Sequence, residues 1–176
     1  PMMTRAVDYI VRQQQPNGLL VGRDQSSPMY SHGFATLALS EVYGQINDPR
    51  VGPALQKAVG LILKAQNRHG AWRYDVASQD ADTTVSGAQM VALRAAAQAG
   101  FEVPLDSVRR GVAFYRSMYC PGGGFGYTNP TSPNVARSGI GLLVLSLTGE
   151  YRSDEARATA DWLYTHLDHT DRQWFF

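Results

Sequence analysis

The sequence predicts an all-α fold made of a helical hairpin that is repeated along the chain. A glycine followed five residues later by an apolar pair occurs at Gly33, Gly87 and Gly139, which are 54 (87 − 33) and 52 (139 − 87) residues apart. A period of about 50 residues suits a unit of two helices and a sizeable loop. Within each unit an amphipathic helix is followed by a mostly apolar one, which is the second observation that predicts this fold.

The first helix of each unit is amphipathic. These helices are predicted at about 4–15, 50–66, 106–119 and 154–167. In the second unit Leu55, Val59 and Ile62 fall on one side at helical spacing, whereas Gln56 and Lys57 do not. A helix with one apolar side covers a core, so these helices are expected to form an outer layer.

The second helix of each unit is apolar nearly all round. These helices are predicted at about 32–43, 84–99 and 134–148. The segment 139–145 shows the pattern, because it contains only glycine and branched aliphatic residues. A helix with no polar face is expected to be buried on every side, which predicts an inner layer.

Turn and capping residues separate the predicted helices. Helix starts are indicated by the segments Asp48-Pro49, Asp106 and Ser132-Pro133. Helix ends are indicated by Gly44, Gly100 and Gly149, at positions where a left-handed backbone is favoured. The repeats therefore run over about 4–49, 50–104 and 105–152, with a partial repeat at 153–176. We expect residues 1–176 to be a single domain and a fragment of a longer chain.

Composition excludes several classes of protein. Hydrophobic residues make up 44% and charged residues 18%, which is enough for a core and too little charge for a disordered chain. Sixteen basic and fifteen acidic residues leave a net charge of +1 without a basic cluster, so no nucleic-acid partner is expected. No apolar stretch reaches the ~18–20 residues of a transmembrane helix. The expected location is the cytoplasm or a membrane surface.

The start of the second unit carries a recognisable motif. It reads Lys57-Ala58-x2-Leu61-Ile62-x3-Gln66-x3-Gly70-x-Trp72. This resembles the QW repeat of the squalene–hopene cyclases and the protein prenyltransferase β subunits. Similar patterns occur in the first unit (Gln14, Gly18, Leu20), in the third (Tyr119, Gly123, Phe125) and in the partial fourth (Trp162, Trp174). The resemblance implies an α/α toroid, with rings of helices around a central apolar cavity and an isoprenoid as the bound small molecule.

An acidic motif precedes the second inner helix. The segment Asp80-Ala81-Asp82-Thr83-Thr84 resembles the D-x-D-D-T acid motif of the cyclases, with Thr83 in place of the third aspartate. The resemblance implies that Asp82 protonates an alkene or epoxide and that Asp80 supports it. Such chemistry requires a neutral carboxyl aimed into a dry cavity. Because acidic residues before a helix commonly cap its free amides, a capping role for this pair stays open.

Aromatic residues in the loops are candidates for contact with the substrate, because aromatic faces stabilise a carbocation. The candidates at the mouth of the cavity are Tyr30, Trp72, Tyr74 and Tyr127. His32 begins the first inner helix, where it either reaches the cavity or is a hydrogen-bonded core residue. The glutamine and the tryptophan of the QW pattern are expected to be structural, with the glutamine amide bonded to backbone at the helix end and the aromatic ring covering it.

Two other functions remain open. One is a non-catalytic repeat module for protein interaction, which would form homo-oligomers through the exposed ends of its repeats. The other is a carbohydrate-active enzyme that uses two carboxylates among Asp75, Asp80 and Asp82.

No cofactor or metal is expected. The single cysteine, Cys120, has no Asp-x-Cys pattern around it, which argues against the zinc site of the prenyltransferases. His166 and His169 have the spacing of two ligands on one helix face, but no third ligand lies near them in the sequence. The glycine-rich segment 121–127 lacks the lysine of a phosphate-binding loop and is expected to form a turn.

Overall fold

A computed structural model describes residues 2–22 and 26–167 of the chain. Within these residues it contains seven α-helices and no β-strand. In chain order they are α1 (Met2–Arg12), α2 (Pro28–Val42), α3 (Val51–Ala65), α4 (Thr83–Gln98), α5 (Leu105–Ser117), α6 (Val135–Leu147) and α7 (Asp154–His166). No helix in this part of the chain has the length and apolar character needed to cross a membrane.

The helices form the inner and outer layers of an α/α toroid. Helices α2, α4 and α6 pack side by side as the inner layer, with α4 between the other two. Outside them α3 packs on α2 and α4, α5 packs on α4 and α6, and α7 packs on α6. The amphipathic pattern of the outer helices therefore predicts their position correctly.

The three inner helices are not buried equally, and the expectation that all are buried on every side is wrong for α2 and α6. Helix α4 has a neighbour on each side, and residues 82–90 are buried without interruption. Phe34 of α2 is 57% exposed and Leu143 of α6 is 45% exposed. The reason is that α2 and α6 stand at the two ends of the described inner layer, where each has a single inner neighbour.

One hydrogen bond is repeated in all three hairpins. In each, a side chain in the first turn of the inner helix accepts from the backbone N–H of the residue in the tryptophan position of the QW pattern. The pairs, each 3.0 Å apart, are Leu20 N to His32 Nδ1, Trp72 N to Ser86 Oγ and Phe125 N to Ser138 Oγ. The bond ties each loop to its inner helix, and the repeat signal in the sequence reflects this shared contact.

The QW residues are structural, as the sequence predicts. Gln66 Nε2 donates to Gly70 O in its own loop at 2.8 Å and to Ser107 O at the start of α5 at 2.9 Å. Trp72 Nε1 donates to Ile62 O at 2.8 Å. The glutamine therefore joins one repeat to the next, while the indole fastens the loop to the helix before it.

The first unit is built in the same way. Gln14 Nε2 donates to Gly18 O at 3.1 Å and to Ala54 O in α3 at 2.8 Å. Gly18 has φ +98°, and a Cβ at this position would lie 2.6 Å from Lys57 O. Glycine is required here both by the backbone conformation and by the close approach of the next outer helix.

The predicted helix boundaries are partly correct. Gly44, Gly100 and Gly149 all have positive φ values, as expected after the inner helices. Asp106 lies inside the first turn of α5 rather than before it. Ser132 does not cap α6 either, because the side chain of Asn134 accepts from Arg137 N at 2.8 Å.

Candidate functional site

Backbone hydrogen bonds bring three loops together at the beginning of α4. They link Asp82 N to Trp72 O at 3.2 Å, Thr83 N to Tyr127 O at 3.1 Å and Met29 N to Tyr74 O at 3.0 Å. The loops of the second and third units and the first turn of α2 therefore meet around the acidic motif.

Asp82 is fully buried, and its two carboxyl oxygens have different surroundings. Oδ1 accepts from Thr84 N and Val85 N, both at 2.8 Å, and from Thr84 Oγ1 at 2.7 Å. Oδ2 is buried and accepts no hydrogen bond from the described residues. The guanidinium Nε of Arg73 lies 3.6 Å from Oδ2. Asp82 thus caps the N-terminus of α4 with Oδ1, while Oδ2 makes no hydrogen bond with the described residues.

Asp80 lies at the surface, with its side chain 72% exposed. Its Oδ2 is 3.5 Å from Nη1 of Arg73, so the same guanidinium faces both carboxyl groups of the motif. Asn67 Nδ2 donates to Asp80 O at 2.8 Å and holds this loop in place. Asp75 is also exposed. Arg73 directly follows the tryptophan of the QW motif, but no sequence pattern marks it as a functional residue.

Three of the predicted aromatic residues form one cluster beside Asp82. The hydroxyls of Tyr74 and Tyr127 are hydrogen-bonded to each other, and the Tyr30 hydroxyl donates to Thr84 Oγ1. The guanidinium of Arg73 lies 4.9 Å from the centre of the Tyr74 ring and 5.5 Å from that of Tyr127. We call Tyr30, Tyr74 and Tyr127 the tyrosine cluster.

Two phenols of the tyrosine cluster, Tyr30 and Tyr127, are electrically neutral over the usual pH range. Burial raises the pKa of Tyr30 to about 12, partly offset by the hydrogen bond to Thr84. Burial also raises the pKa of Tyr127, as do the bond to Tyr74 and the charge of Asp82. The phenols therefore present uncharged aromatic faces and not phenolates.

Trp72 and His32 do not contribute side chains to this cluster. The Trp72 ring is 1% exposed and belongs to the core, where it bonds Ile62 O. His32 is fully buried and uses both nitrogens on the backbone: Nδ1 accepts from Leu20 N, and Nε2 lies 3.1 Å from Ala58 O. Burial lowers the pKa of His32 to about 4, so the ring is neutral with its proton on Nε2.

Thr83 stands where the cyclase motif has its third aspartate. Its side chain is buried, and its hydroxyl donates to Gly126 O at 2.9 Å. Its own carbonyl oxygen accepts from the hydroxyl of Tyr115. A carboxylate at position 83 would face the carbonyl oxygen of Gly126 without a proton to donate. The threonine hydroxyl donates a hydrogen bond to that oxygen, which explains the threonine in structural terms.

A cleft of about 480 Å³ opens beside these groups. Arg73, Asp80 and Tyr127 line it together with the apolar side chains of Phe114 and Met118 of the third unit. The lining combines charged and apolar groups, whereas the sequence resemblance implies an apolar cavity. Asp82 does not line the cleft, so Arg73 is the side chain that contacts both the cleft and Asp82.

The described residues hold no group of three side chains able to bind a metal ion. Cys120 is buried, and burial raises the pKa of its thiol. The ring of His166 stacks on Trp162 with 4.0 Å between ring centres. His169 and Trp174 lie outside the described residues.

The chain is similar to known proteins over much of its length. Residues 1–134 match the family model for the squalene-hopene cyclase C-terminal domain. The ent-copalyl diphosphate synthase of Streptomyces sp. (strain KO-3988) is 29% identical over 111 residues, which cover 62% of this chain and 20% of that protein. The matched region therefore spans about one fifth of the relative's length. No solved structure matches the chain.

Proposed function

Because this chain belongs to the squalene-hopene cyclase C-terminal domain family, we propose that it acts in terpenoid cyclisation, with Asp82 as the proton donor and a linear isoprenoid as the substrate. The observation that carries the proposal is the buried Oδ2 of Asp82, which accepts no hydrogen bond from the described residues. A protonated carboxyl places its O–H on that oxygen, while Oδ1 remains the carbonyl oxygen that accepts three donors.

The proposed reaction starts with a proton transfer from Asp82 to an alkene or epoxide. The Oδ2–H bond breaks, the proton adds to the alkene carbon or epoxide oxygen, and positive charge develops on the adjacent carbon. A neighbouring double bond of the same isoprenoid then attacks that carbon and closes a ring, which moves the positive charge to a carbon of that double bond. The new cation loses a proton to water and forms an alkene, which completes a neutral cyclic product. The negative charge left on Asp82 is stabilised by the amides of Thr84 and Val85 and by the Thr84 hydroxyl, which are already in place.

The tyrosine cluster supports the second half of this reaction. Two of its rings, those of Tyr74 and Tyr127, already face a cation, the guanidinium of Arg73. Aromatic faces attract a carbocation by the same electrostatic effect. Because burial raises the pKa of Tyr30 to about 12, this phenol stays neutral and is a poor base against the cation.

Two variants of Asp82 separate catalysis from helix capping. Asp82→Asn keeps an oxygen that accepts from Thr84 N and Val85 N but has no proton to transfer. Asp82→Ala removes both functions. The wild-type chain is incubated with squalene, its terminal epoxide and a prenyl diphosphate, and products are separated by gas chromatography and mass spectrometry. We expect Asp82→Asn to abolish cyclic product while its melting temperature stays closer to wild type than that of Asp82→Ala. No product and no binding in the wild type would exclude the proposal.

The exposed ends of the inner layer favour a second candidate, a non-catalytic interaction module. Phe34 and Leu143 are large, apolar and about half exposed, at opposite ends of the layer. Contiguous exposed apolar surface promotes association. Light scattering over a range of concentrations tests this. If the wild-type mass increases with concentration and that of Leu143→Ser does not, the result supports an interaction module. A constant monomer mass contradicts it.

A further inference from the structure

We propose that Arg73 is a positioning residue that controls the proton on Asp82, because its guanidinium is shared between the buried Asp82 and the exposed Asp80. This inference rests on the proposed function of Asp82 as the acid. It gives Asp80 a specific role: Asp80 acts on Asp82 by attracting Arg73, and not through contact with the substrate.

The guanidinium of Arg73 lies at nearly equal distances from the carboxyl groups of Asp80 and Asp82. Nη1 is 3.5 Å from Asp80 Oδ2, and Nε is 3.6 Å from Asp82 Oδ2. Both distances exceed the 2.7–3.2 Å of a normal N–H···O hydrogen bond, so the guanidinium is committed to neither carboxyl group. The rings of Tyr74 and Tyr127 support it instead through cation–π contacts with its planar group.

A shared guanidinium suits both stages of proton transfer. With Arg73 drawn outward to Asp80, Asp82 keeps its proton without an adjacent full positive charge. Once Asp82 has lost its proton, its carboxylate attracts Arg73 inward, since a cation at about 4 Å strongly stabilises a buried anion. Arg73 also lines the cleft while Asp82 does not, so the outward position is the one that opens a path from the cleft to Oδ2.

The other ionisable groups packed around this site are four phenols, His69 and Arg137. Phenols face it from α2, from α5 and from the loops of the second and third units. They are Tyr30, Tyr115, Tyr74 and Tyr127. Burial raises the pKa of Tyr30 and Tyr115, and they stay neutral. His69 lines the outer part of the cleft, and the guanidinium of Arg137 lies 5.8 Å from the Tyr127 ring.

Carboxyl ¹³C NMR on the full chain labelled at aspartate tests the proposal without requiring turnover. The Asp82 signal is assigned by its loss in Asp82→Asn. We expect the Asp82 signal of Arg73→Gln to change at a higher pH than that of the wild type, because an opposite charge at this distance favours the ionised carboxyl. Asp80→Asn should lower the midpoint of this titration, because Arg73 is then drawn to Asp82 alone. In the Arg73→Gln background, Asp80→Asn should have much less effect.

Two control variants make the result decisive. Arg73→Lys keeps the charge and should leave the midpoint near the wild-type value, which separates charge from packing. Arg137→Gln removes the other cation over the Tyr127 ring and should not move it. An unchanged midpoint in Arg73→Gln, or an equal effect of Asp80→Asn with and without Arg73, overturns the inference. Full turnover by Asp82→Asn instead overturns the proposed function, so the two failures are distinguishable.

Discussion

The hydroxyl of Thr83 donates a hydrogen bond to the carbonyl oxygen of Gly126, 2.9 Å away, inside the protein. The bond connects the start of α4 to the glycine-rich loop of the third unit, next to the buried Asp82. It gives position 83 a structural role in this chain, at the place where the cyclase acid motif has its third aspartate.

Restoring that aspartate should therefore destabilise the protein. In Thr83→Asp a buried carboxylate faces Gly126 O without a donor, which costs about 3 kcal/mol or more of the free energy of unfolding. Thr83→Val, which only removes the hydrogen bond, should cost about 1–3 kcal/mol. Urea denaturation measures both. A Thr83→Asp protein as stable as wild type would show that the threonine is not required by its surroundings.

Gly70 should be intolerant of any side chain. It has φ +76°, and a Cβ there would lie 2.5 Å from Arg110 O in α5. Gly100 is the matched control, because it has φ +92° and open space around its missing Cβ. We expect Gly100→Ala to cost about 1–2 kcal/mol from backbone strain alone and Gly70→Ala to cost clearly more. Equal losses in thermal unfolding would mean that the contact between repeats is unimportant.

The amide of Gln66 should be needed as a donor. Its Nε2 bonds Gly70 O and Ser107 O, while its Oε1 accepts from Arg110 at 2.6 Å. Gln66→Glu keeps the acceptor but turns a carboxylate oxygen toward two carbonyls, so we expect a loss of about 2–4 kcal/mol. The same change at the exposed Gln56 should be nearly neutral. Chemical denaturation measures the free energy of unfolding of both variants. A loss in Gln66→Glu as small as that in Gln56→Glu would contradict the role of Gln66 in joining two repeats.

His32 should make stability depend on pH. Burial lowers its pKa in the folded state to about 4, below the value of about 6.5 in the unfolded chain. The unfolded state therefore binds the proton first. The contribution of His32 is complete above pH 6.5 and is lost as the pH falls toward 4, by up to about 1.4 kcal/mol for each pH unit.

The matched variant is His32→Ser, since the other two repeats have Ser86 and Ser138 at this position. The serine still offers an acceptor to Leu20 N but does not titrate. We expect the difference in unfolding free energy between pH 7.5 and pH 5 to be smaller in His32→Ser than in wild type. If the two proteins lose the same amount of stability, the buried imidazole is not responsible.

Much of the fold was predictable because local and repeated signals agree. The first two repeats place Gln14 and Gln66 and the glycine that follows each where they contact the next outer helix, so their spacing in the sequence reflects the stacking of the repeats. The exposure of Phe34 and Leu143 was not predictable. Composition marks a helix as apolar, but whether a neighbour covers it depends on how many repeats stack beside it.

The site was predictable only in part. Tyr74 and Tyr127 each stand two residues after the aromatic residue of a QW repeat, and this shared position is a signal for their contact. The approach of Arg73 to Asp82 depends on the long-range bond from Asp82 N to Trp72 O, which no local pattern reveals. The sequence suggests His32 as a substrate-binding residue. In the structure it makes the hydrogen bond that a serine makes in the other two repeats.

The incorporation of solvent deuterium tests the role of Asp82 most directly. The chain, equilibrated in D₂O, is incubated with a linear isoprenoid that has no epoxide, so that the proton adds to a carbon, and the cyclic product is analysed by mass spectrometry. If Asp82 donates the proton that starts cyclisation, the wild-type product carries one deuterium at the carbon that was protonated, and Asp82→Asn yields no product. Cyclic product from Asp82→Asn at the wild-type rate, with the same deuterium content, would contradict this account.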